Sequence, residues 1–363
     1  MPRVLFVAAH RPDRSPSQRF RFEQYLDFLK ENGFECDFSW LVSQDDDSFL
    51  YKHGNYFRKF SFLRKSYRIR KNDLRNADKY DIIFVQREAL MFRSTRFEEG
   101  FSKKTKLLFD FDDAIWLMDV SDGNRNWRWL KDPSKTSHII EMSHMIFAGN
   151  RYLAEYAKQF NDNVKIIPTT IDTNYHKKKN GAKNNHRICI GWAGSTTTIK
   201  HFRMAENFLI RLKEKYGDRI YFKLIGDVEY ENTQLGLKGT AWNISSEIED
   251  LSEFDIGIMP LPDDEWAKGK CGFKGLQYMS MQIPAVMSPV GVNTEIIEDG
   301  VNGFLASSDD EWIEKLSLLI DSEELRRKLG ADGRKTVLEK YSVESQKENY
   351  LDFFNELIAG SRK

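Results

Sequence analysis

Two α/β domains in tandem, each built on a parallel sheet, are the architecture this chain predicts. Three observations carry that reading. An unbroken apolar run, RVLFVAA at 3–9, opens the chain and leads through a loop and an amphipathic stretch into a second apolar run. The same order restarts at 187–193 (RICIGWA), behind a Lys- and Asn-rich run at 176–186 that has no apolar periodicity and reads as a linker. Third, 269–306 alternates loop, helix, strand, loop, helix and strand, the rhythm of βαβ units. A length of 363 residues suits two cores of this kind.

The elements of the first half follow in order. The run at 3–9 reads as a buried parallel strand. Pro12 and Pro16 break the loop at 10–17. Ser17 is an N-cap for a helix to about Asn32, with Phe20, Tyr25, Phe28 and Leu29 on one broad face and Gly33 as its stop. A strand at 34–40 completes a Rossmann-like opening, without the GxGxxG fingerprint of a dinucleotide site. The segment 57–75 holds eight basic residues and one acidic, and Phe57, Phe60, Leu63 and Tyr67 recur at helical spacing. Such a helix suits an anionic membrane surface; a solvated helix that packs its aromatics inward is the competing reading, and no recognition motif supports nucleic acid. Strands are predicted at 81–86 and 106–111, with a helix around 94–101 between them. The second strand runs into Asp110-Phe-Asp112-Asp113-Ala-Ile-Trp116. Alternation places Asp110 and Asp112 on one face and Asp113 past the end. Carboxylates so placed suit a divalent metal, a polar substrate or plain capping of the next loop. The polar stretch 119–133 offers Trp127 and Trp129 as stacking faces for sugars or lipid headgroups. A helix at 134–143, a strand at 145–148, a helix at 150–159 and a strand at 164–167 complete this half.

In the second half, the strand at 187–193 meets Gly194-Ser195-Thr196-Thr197-Thr198 and a helix at 199–216. A small-residue loop at a helix N-terminus suits a pyrophosphate, with Lys200 in its first turn. Strands at 221–225 and 254–259 flank a short helix to Leu251, capped by Ser245 or Ser246. Lys270 and Lys274 bring cations to the loop that opens the helix at 275–281. Strands at 285–287 and 304–306 enclose a short helix at 295–298 capped by Asn293 or Thr294; helices at 309–320, 322–339 and 342–358 close the chain.

The run at 269–306 resembles the nucleotide-sugar signature of retaining glycosyltransferases of family 4, which have the GT-B fold. Ile283-Pro284-Ala285-Val286, Gly291-Val292-Asn293-Thr294-Glu295 and Asp299-Gly300-Val301-Asn302-Gly303-Phe304-Leu305 carry the likeness. The family's Glu-x7-Glu pair falls on Gly269 and Gln277. Gly269-Lys270-Cys271 with Lys274, and Gln277-Tyr278-Met279, resemble a branch with a Gly-Lys-Cys-x-x-Lys loop. The strings Asp110 to Trp116 and Ser17-x-Arg19-x-Arg21 are similar to the same branch.

The resemblance implies a GT-B architecture, two Rossmann-like domains facing an interdomain cleft. Residues 1–180 would bind the acceptor, 181–340 the nucleotide sugar, and 341–363 would cross back to the first domain through Tyr350, Phe353 and Phe354. It assigns the donor to Gly194, Ser195, Lys200, Lys270, Lys274, Gln277 (at the ribose), Val292, Asn293, Thr294 and Glu295. Where the family has Gly-Arg, this chain has Gly194-Ser195. Arg19 and Trp127 are expected at the acceptor, and Asp112, Asp113 and Lys274 in catalysis. The implied reaction moves a sugar from a nucleoside-diphosphate sugar to a saccharide or lipid-linked acceptor with retention, in cell-surface polysaccharide or glycoconjugate synthesis. The donor is a substrate; no cofactor and no metal are expected. A nucleotide-sugar epimerase of the same fold and a non-catalytic binding relative are the rival readings.

Composition sets the remaining bounds. Charged residues make up 30% and mean hydropathy is −0.57, which suits a water-exposed globular surface. No run reaches the length of a membrane span, and three widely spaced cysteines without a CxxC point to a reduced compartment. The expectation is a cytoplasmic protein, peripheral on the inner face of the plasma membrane. Residues 1–180 hold 32 Lys and Arg against 25 Asp and Glu, and the remainder 23 against 30, so a net charge of zero conceals a basic first half.

Overall fold

The structure is a computed structural model that describes residues 1–52, 54–117, 132, 134–179 and 187–360. The chain divides into two compact units, Met1–Thr169 with Gln346–Lys363, and Thr170–Ser345.

In the first unit, β1 (Arg3–Val7), β2 (Glu35–Ser39), β3 (Ile82–Gln86), β4 (Lys106–Phe111), β5 (Met145–Ala148) and β6 (Val164–Ile166) form one sheet in the order β2-β1-β3-β4-β5-β6. Every neighbouring pair is parallel. The inner strands are continuous apolar runs because helices cover both faces. The strand order reverses between β1 and β3, so the loops after these strands border the sheet's switch point. Phe6, Phe22, Phe84 and Phe147 make an aromatic layer on which the last helix, Val343–Ala359, lays Tyr350 and Phe354. Tyr350 stacks on Tyr25 with ring centroids 4.3 Å apart.

Two predicted helices differ from expectation. The segment 17–32 is broken into Pro16–Arg19, a 3-10 turn at Glu23–Tyr25 and Leu26–Glu31, and its N-cap is Ser15. Phe20, Arg21 and Phe22 are all buried, and one helical face cannot bury three consecutive side chains. The helix Tyr56–Arg75 forms as predicted and buries its polar side rather than Phe57 and Phe60, against the inward-packing reading of its aromatics. Lys59, Phe62, Ser66, Arg70 and Asp73 are buried, whereas Phe57 is 94% exposed and Phe60 61%. Arg70 explains this choice of face: its guanidinium donates to the Ala8 and Ala89 carbonyls, Ser39 Oγ and Asp73, and it pins the polar side inward.

The second unit carries β7 (Ile188–Ala193), β8 (Ile220–Ile225), a small antiparallel pair β9 (Glu231–Asn232) and β10 (Leu237–Lys238), then β11 (Ile256–Met259), β12 (Ala285–Met287) and β13 (Phe304–Leu305). The main sheet runs β13-β12-β11-β7-β8, all parallel, with its switch point between β7 and β11. Its core gathers Trp192, Phe202, Phe208, Leu212, Leu224 and Trp312. The predicted helix at 199–216 is two, Ile199–Arg203 and Glu206–Tyr216. The division between units falls after Thr169, ahead of the polar run expected as the linker. His176, at the start of that run, is fully buried in the second unit, where Arg334 donates to its carbonyl at 3.2 Å. A histidine beside three lysines carries no local sign of burial; Asp172 and Tyr175 hold it locally, and Gln277 and Arg334 reach it from far along the chain.

Candidate active site

In the second unit Gly194, Ser195 and Lys200 follow β7, while Lys270 and Lys274 lie between β11 and β12. The helix Phe273–Ser280 starts at Gly272, whose φ of +68° favours glycine and whose added Cβ would lie 2.2 Å from Ile296 Cδ1. One turn into the helix, Tyr278 accepts the Ala193 amide at 2.9 Å, which locks the helix to the end of β7. Lys274 lies four residues before Tyr278, on the same helical side, and its ammonium sits 5.4 Å from the Trp192 ring centroid. Lys270 sits 5.1 Å from the Trp266 ring centroid.

His201, on the helix Ile199–Arg203, reports how these cations are grouped. It is 3% exposed, and its Nδ1 is buried without a hydrogen-bond partner. Burial, then the charges of Lys274, Lys270 and Lys200, lower its pKa to about 4; Asp264 opposes them. The charges of Lys274, Lys270 and Lys200 therefore all act on this imidazole and keep it neutral. Such a group of cations suits a multiply charged anion. His201 was missed in the sequence; its spacing from Lys200 carries no motif, and only the fold brings it to Lys270 and Lys274.

Several expected contacts are arranged differently. The Gly194 amide donates to the Ile225 carbonyl at 2.9 Å and the Ser195 amide to Thr198 Oγ1 at 3.0 Å, so both donors are engaged within the unit. Gly226, with φ +115°, lets these strand ends meet: a Cβ there would lie 1.6 Å from the Gly194 carbonyl oxygen. Asn293 and Thr294 are not caps but lie inside the helix Asn293–Ile296, their amides bound to Val290 and Gly291. Val292 and Asn293 are buried, Thr294 and Glu295 exposed. Ser246 begins the helix Glu247–Ser252 without a side-chain cap.

Gln277, expected at a ribose, is 3% exposed. Its Nε2 donates to Glu247 Oε1 at 3.1 Å and lies 3.3 Å from His176 Nε2. Glu247 also accepts Trp242 Nε1 at 3.1 Å. A glutamate in place of Gln277 would set two buried carboxylates against each other, which accounts for the amide here.

In the first unit the acidic string lies at the end of β4. Asp110 is buried and paired with Arg21, whose Nε is 3.1 Å from Oδ1; Arg21 also donates to the Ile167 carbonyl. Arg87 follows β3 directly, in a left-handed backbone at φ 63°. Its guanidinium binds Asp112 at 2.9 Å and Asp113 at 2.5 Å. Burial raises the Asp112 carboxyl, Arg87 draws it back and Asp113 adds to the rise. Trp116 stacks on Tyr156 at 3.7 Å and anchors the loop. Arg19 lies 5.0 Å from the Phe20 ring centroid; its partner in the motif, Arg21, is buried in the core. Trp127 lies outside the described residues. Among the described residues no group of three His, Cys, Asp or Glu side chains could hold a metal ion.

Residues 188–322 match the family model described as Glycosyl transferases group 1. This span holds the three lysines, His201 and the helix Phe273–Ser280. No curated protein sequence matches the chain. Solved structures resemble it over nearly its full length. A glycosyltransferase from Rickettsia africae ESF-5 superposes with a TM-score of 0.68 at 13% identity, covering 98% of each chain. Sucrose-phosphate synthase from Thermosynechococcus elongatus gives 0.68 at 11% identity over 99% of this chain and 100% of its own. Anabaena Alr3699/HepE in complex with UDP and glucose gives 0.65 at 12% identity over 98% and 99%. The chain thus has the GT-B fold, two Rossmann-like domains, and the family domain of a glycosyltransferase.

Proposed function

We propose that the protein is a retaining glycosyltransferase of family 4 that moves a sugar from a nucleoside-diphosphate sugar to a saccharide or lipid-linked acceptor in cell-surface polysaccharide or glycoconjugate synthesis. One observation carries the reading: Lys274 stands over Trp192 at the end of β7, and its charge, with those of Lys270 and Lys200, acts on the buried His201. A departing diphosphate gains negative charge as the glycosidic bond breaks, and cations held in place, Lys274 on its packed helix among them, stabilise that charge without reorganising. In this reading the lysines take the part a metal ion would otherwise play. Further support comes from the neighbours: Alr3699/HepE was solved with UDP-glucose, and a pneumococcal O-GlcNAc transferase with UDP and GlcNAc.

Asp112 and Asp113, held by Arg87, are the groups we assign to acceptor hydroxyls or to the positive charge on the sugar. Arg19 and Trp127 would complete the acceptor contacts.

The test is Lys274→Ala in the full chain. Turnover should fall roughly 100-fold or more, the range for loss of one group that stabilises developing negative charge. Nucleoside-diphosphate binding by calorimetry should weaken, with circular dichroism and melting temperature unchanged. Near wild-type turnover would refute the assignment. Donor supplied without acceptor should hydrolyse only slowly; epimerised donor would favour the epimerase reading.

A further inference from the structure

The helix Tyr56–Arg75 turns a stripe outward that neither the fold nor the proposed chemistry uses. Tyr56, Phe57 and Phe60 are 64%, 94% and 61% exposed at its first turns. Arg64, Arg68, Lys71 and Arg75 continue the stripe at helical spacing, all exposed. The helix has a single acid, Asp73, which is buried and paired with Arg70. Of the helix's cations, the neighbouring helix Gln44–Leu50 takes Lys65, through Asp46 at 2.6 Å; Asp47 is held by Arg11 and by Arg14 at 2.9 Å, and Asp45 is exposed. Arg58 lies 4.2 Å from the Phe49 ring centroid, which fixes this end of the helix to its neighbour.

Water is a poor solvent for such rings, and the inward-packing reading of the sequence does not hold for Phe57 and Phe60. The inward pull of Arg70 and Lys59 leaves them outside. Along the stripe Tyr56, Phe57 and Phe60 come first and Arg64, Arg68, Lys71 and Arg75 follow, with Arg58 exposed among the rings and Tyr67 39% exposed among the cations. Single-stranded nucleic acid calls for stacking faces beside a groove that tracks its phosphates. A second copy of this chain would bring like charges together. A bilayer interface fits both parts: rings enter the acyl boundary while cations meet anionic headgroups.

We propose that this stripe docks the protein on an anionic phospholipid surface, with Phe57 and Phe60 as the inserted wedge and Arg64, Arg68, Lys71 and Arg75 as the headgroup contacts. The inference is independent of the donor chemistry.

The experiment is co-sedimentation of the full chain with phosphatidylglycerol–phosphatidylcholine vesicles and with pure phosphatidylcholine vesicles at low ionic strength. Binding to the anionic vesicles alone is expected. Phe57→Ser with Phe60→Ser should weaken it about tenfold with no change in charge, and Arg64→Glu with Arg68→Glu by more than that. Because these side chains are exposed, melting temperature and nucleoside-diphosphate binding should stay unchanged. Absence of vesicle binding overturns the proposal, as does binding indifferent to the aromatic pair. Preferential capture by single-stranded RNA, or self-association through the rings in sedimentation velocity, would also overturn it.

Discussion

Arg87 and Asp113 are joined by a 2.5 Å hydrogen bond across the ends of two neighbouring strands, and the same guanidinium holds Asp112. The left-handed backbone of Arg87 is what aims it. A non-glycine residue there costs about 1–3 kcal/mol, and two carboxylates set against one guanidinium keep it in place.

Arg87→Gln should therefore remove the Arg87 ion pair from both carboxylates. Stability should fall by roughly 3 kcal/mol in urea denaturation, with loss of turnover beyond what unfolding explains. Asp113→Asn should reduce turnover while nucleoside-diphosphate affinity holds. Equal loss of donor binding would move Asp113 to another role.

Gln277→Glu restores the residue type of the resembled family and should harm this protein. It would place a second carboxylate beside Glu247 in a site 3–4% exposed. Melting temperature should drop, and the drop should ease as acid protonates one of the pair. A gain in donor affinity instead would show that the position faces the ribose.

The share of stability that depends on His201 and His10 should fall as pH drops through the ordinary histidine range, against an opposite contribution from Glu23, whose carboxyl burial raises to about 7. His201 and His10 are both held near pKa 4 by burial and nearby cations, against 6.5 when unfolded. Between those values the two histidines bind more protons in the unfolded chain than in the folded one, so through them acid favours unfolding. His201→Asn should flatten this slope in calorimetric scans from pH 7 to about 4.5. An unchanged slope would place the proton uptake elsewhere. A bound diphosphate should raise His201 toward neutrality, seen as proton uptake when binding is measured in buffers of different ionisation enthalpy.

Arg21→Met should destabilise the first unit by about 3–5 kcal/mol, because Asp110 would be left charged in the core. The pair Arg21→Met with Asp110→Leu should recover most of the loss, since removing both charges also removes their desolvation cost.

Strand positions were readable because a parallel strand covered on both faces is an apolar run wherever it occurs, as at β1, β3, β4, β7 and β12. Lys274, Lys200 and Lys270 were readable for a related reason: glycine punctuation marks loops at strand ends, and lysines there are local features. The orientation of the Tyr56–Arg75 helix was not readable, since aromatic periodicity says which residues share a face but not what the opposite face can bind. Arg70 finds its partners on three other segments, and these outweigh the burial of two phenylalanines.

Local chemistry along the chain, its apolar runs, turn residues and glycine-rich loops, was enough to specify two parallel α/β layers. The pairings Arg21–Asp110, Arg87–Asp113 and Gln277–Glu247, and the burial of His176 and His201, arose from folding. Each joins groups too distant in sequence for any local pattern to register, and a buried polar group is held wherever three-dimensional packing supplies its partner.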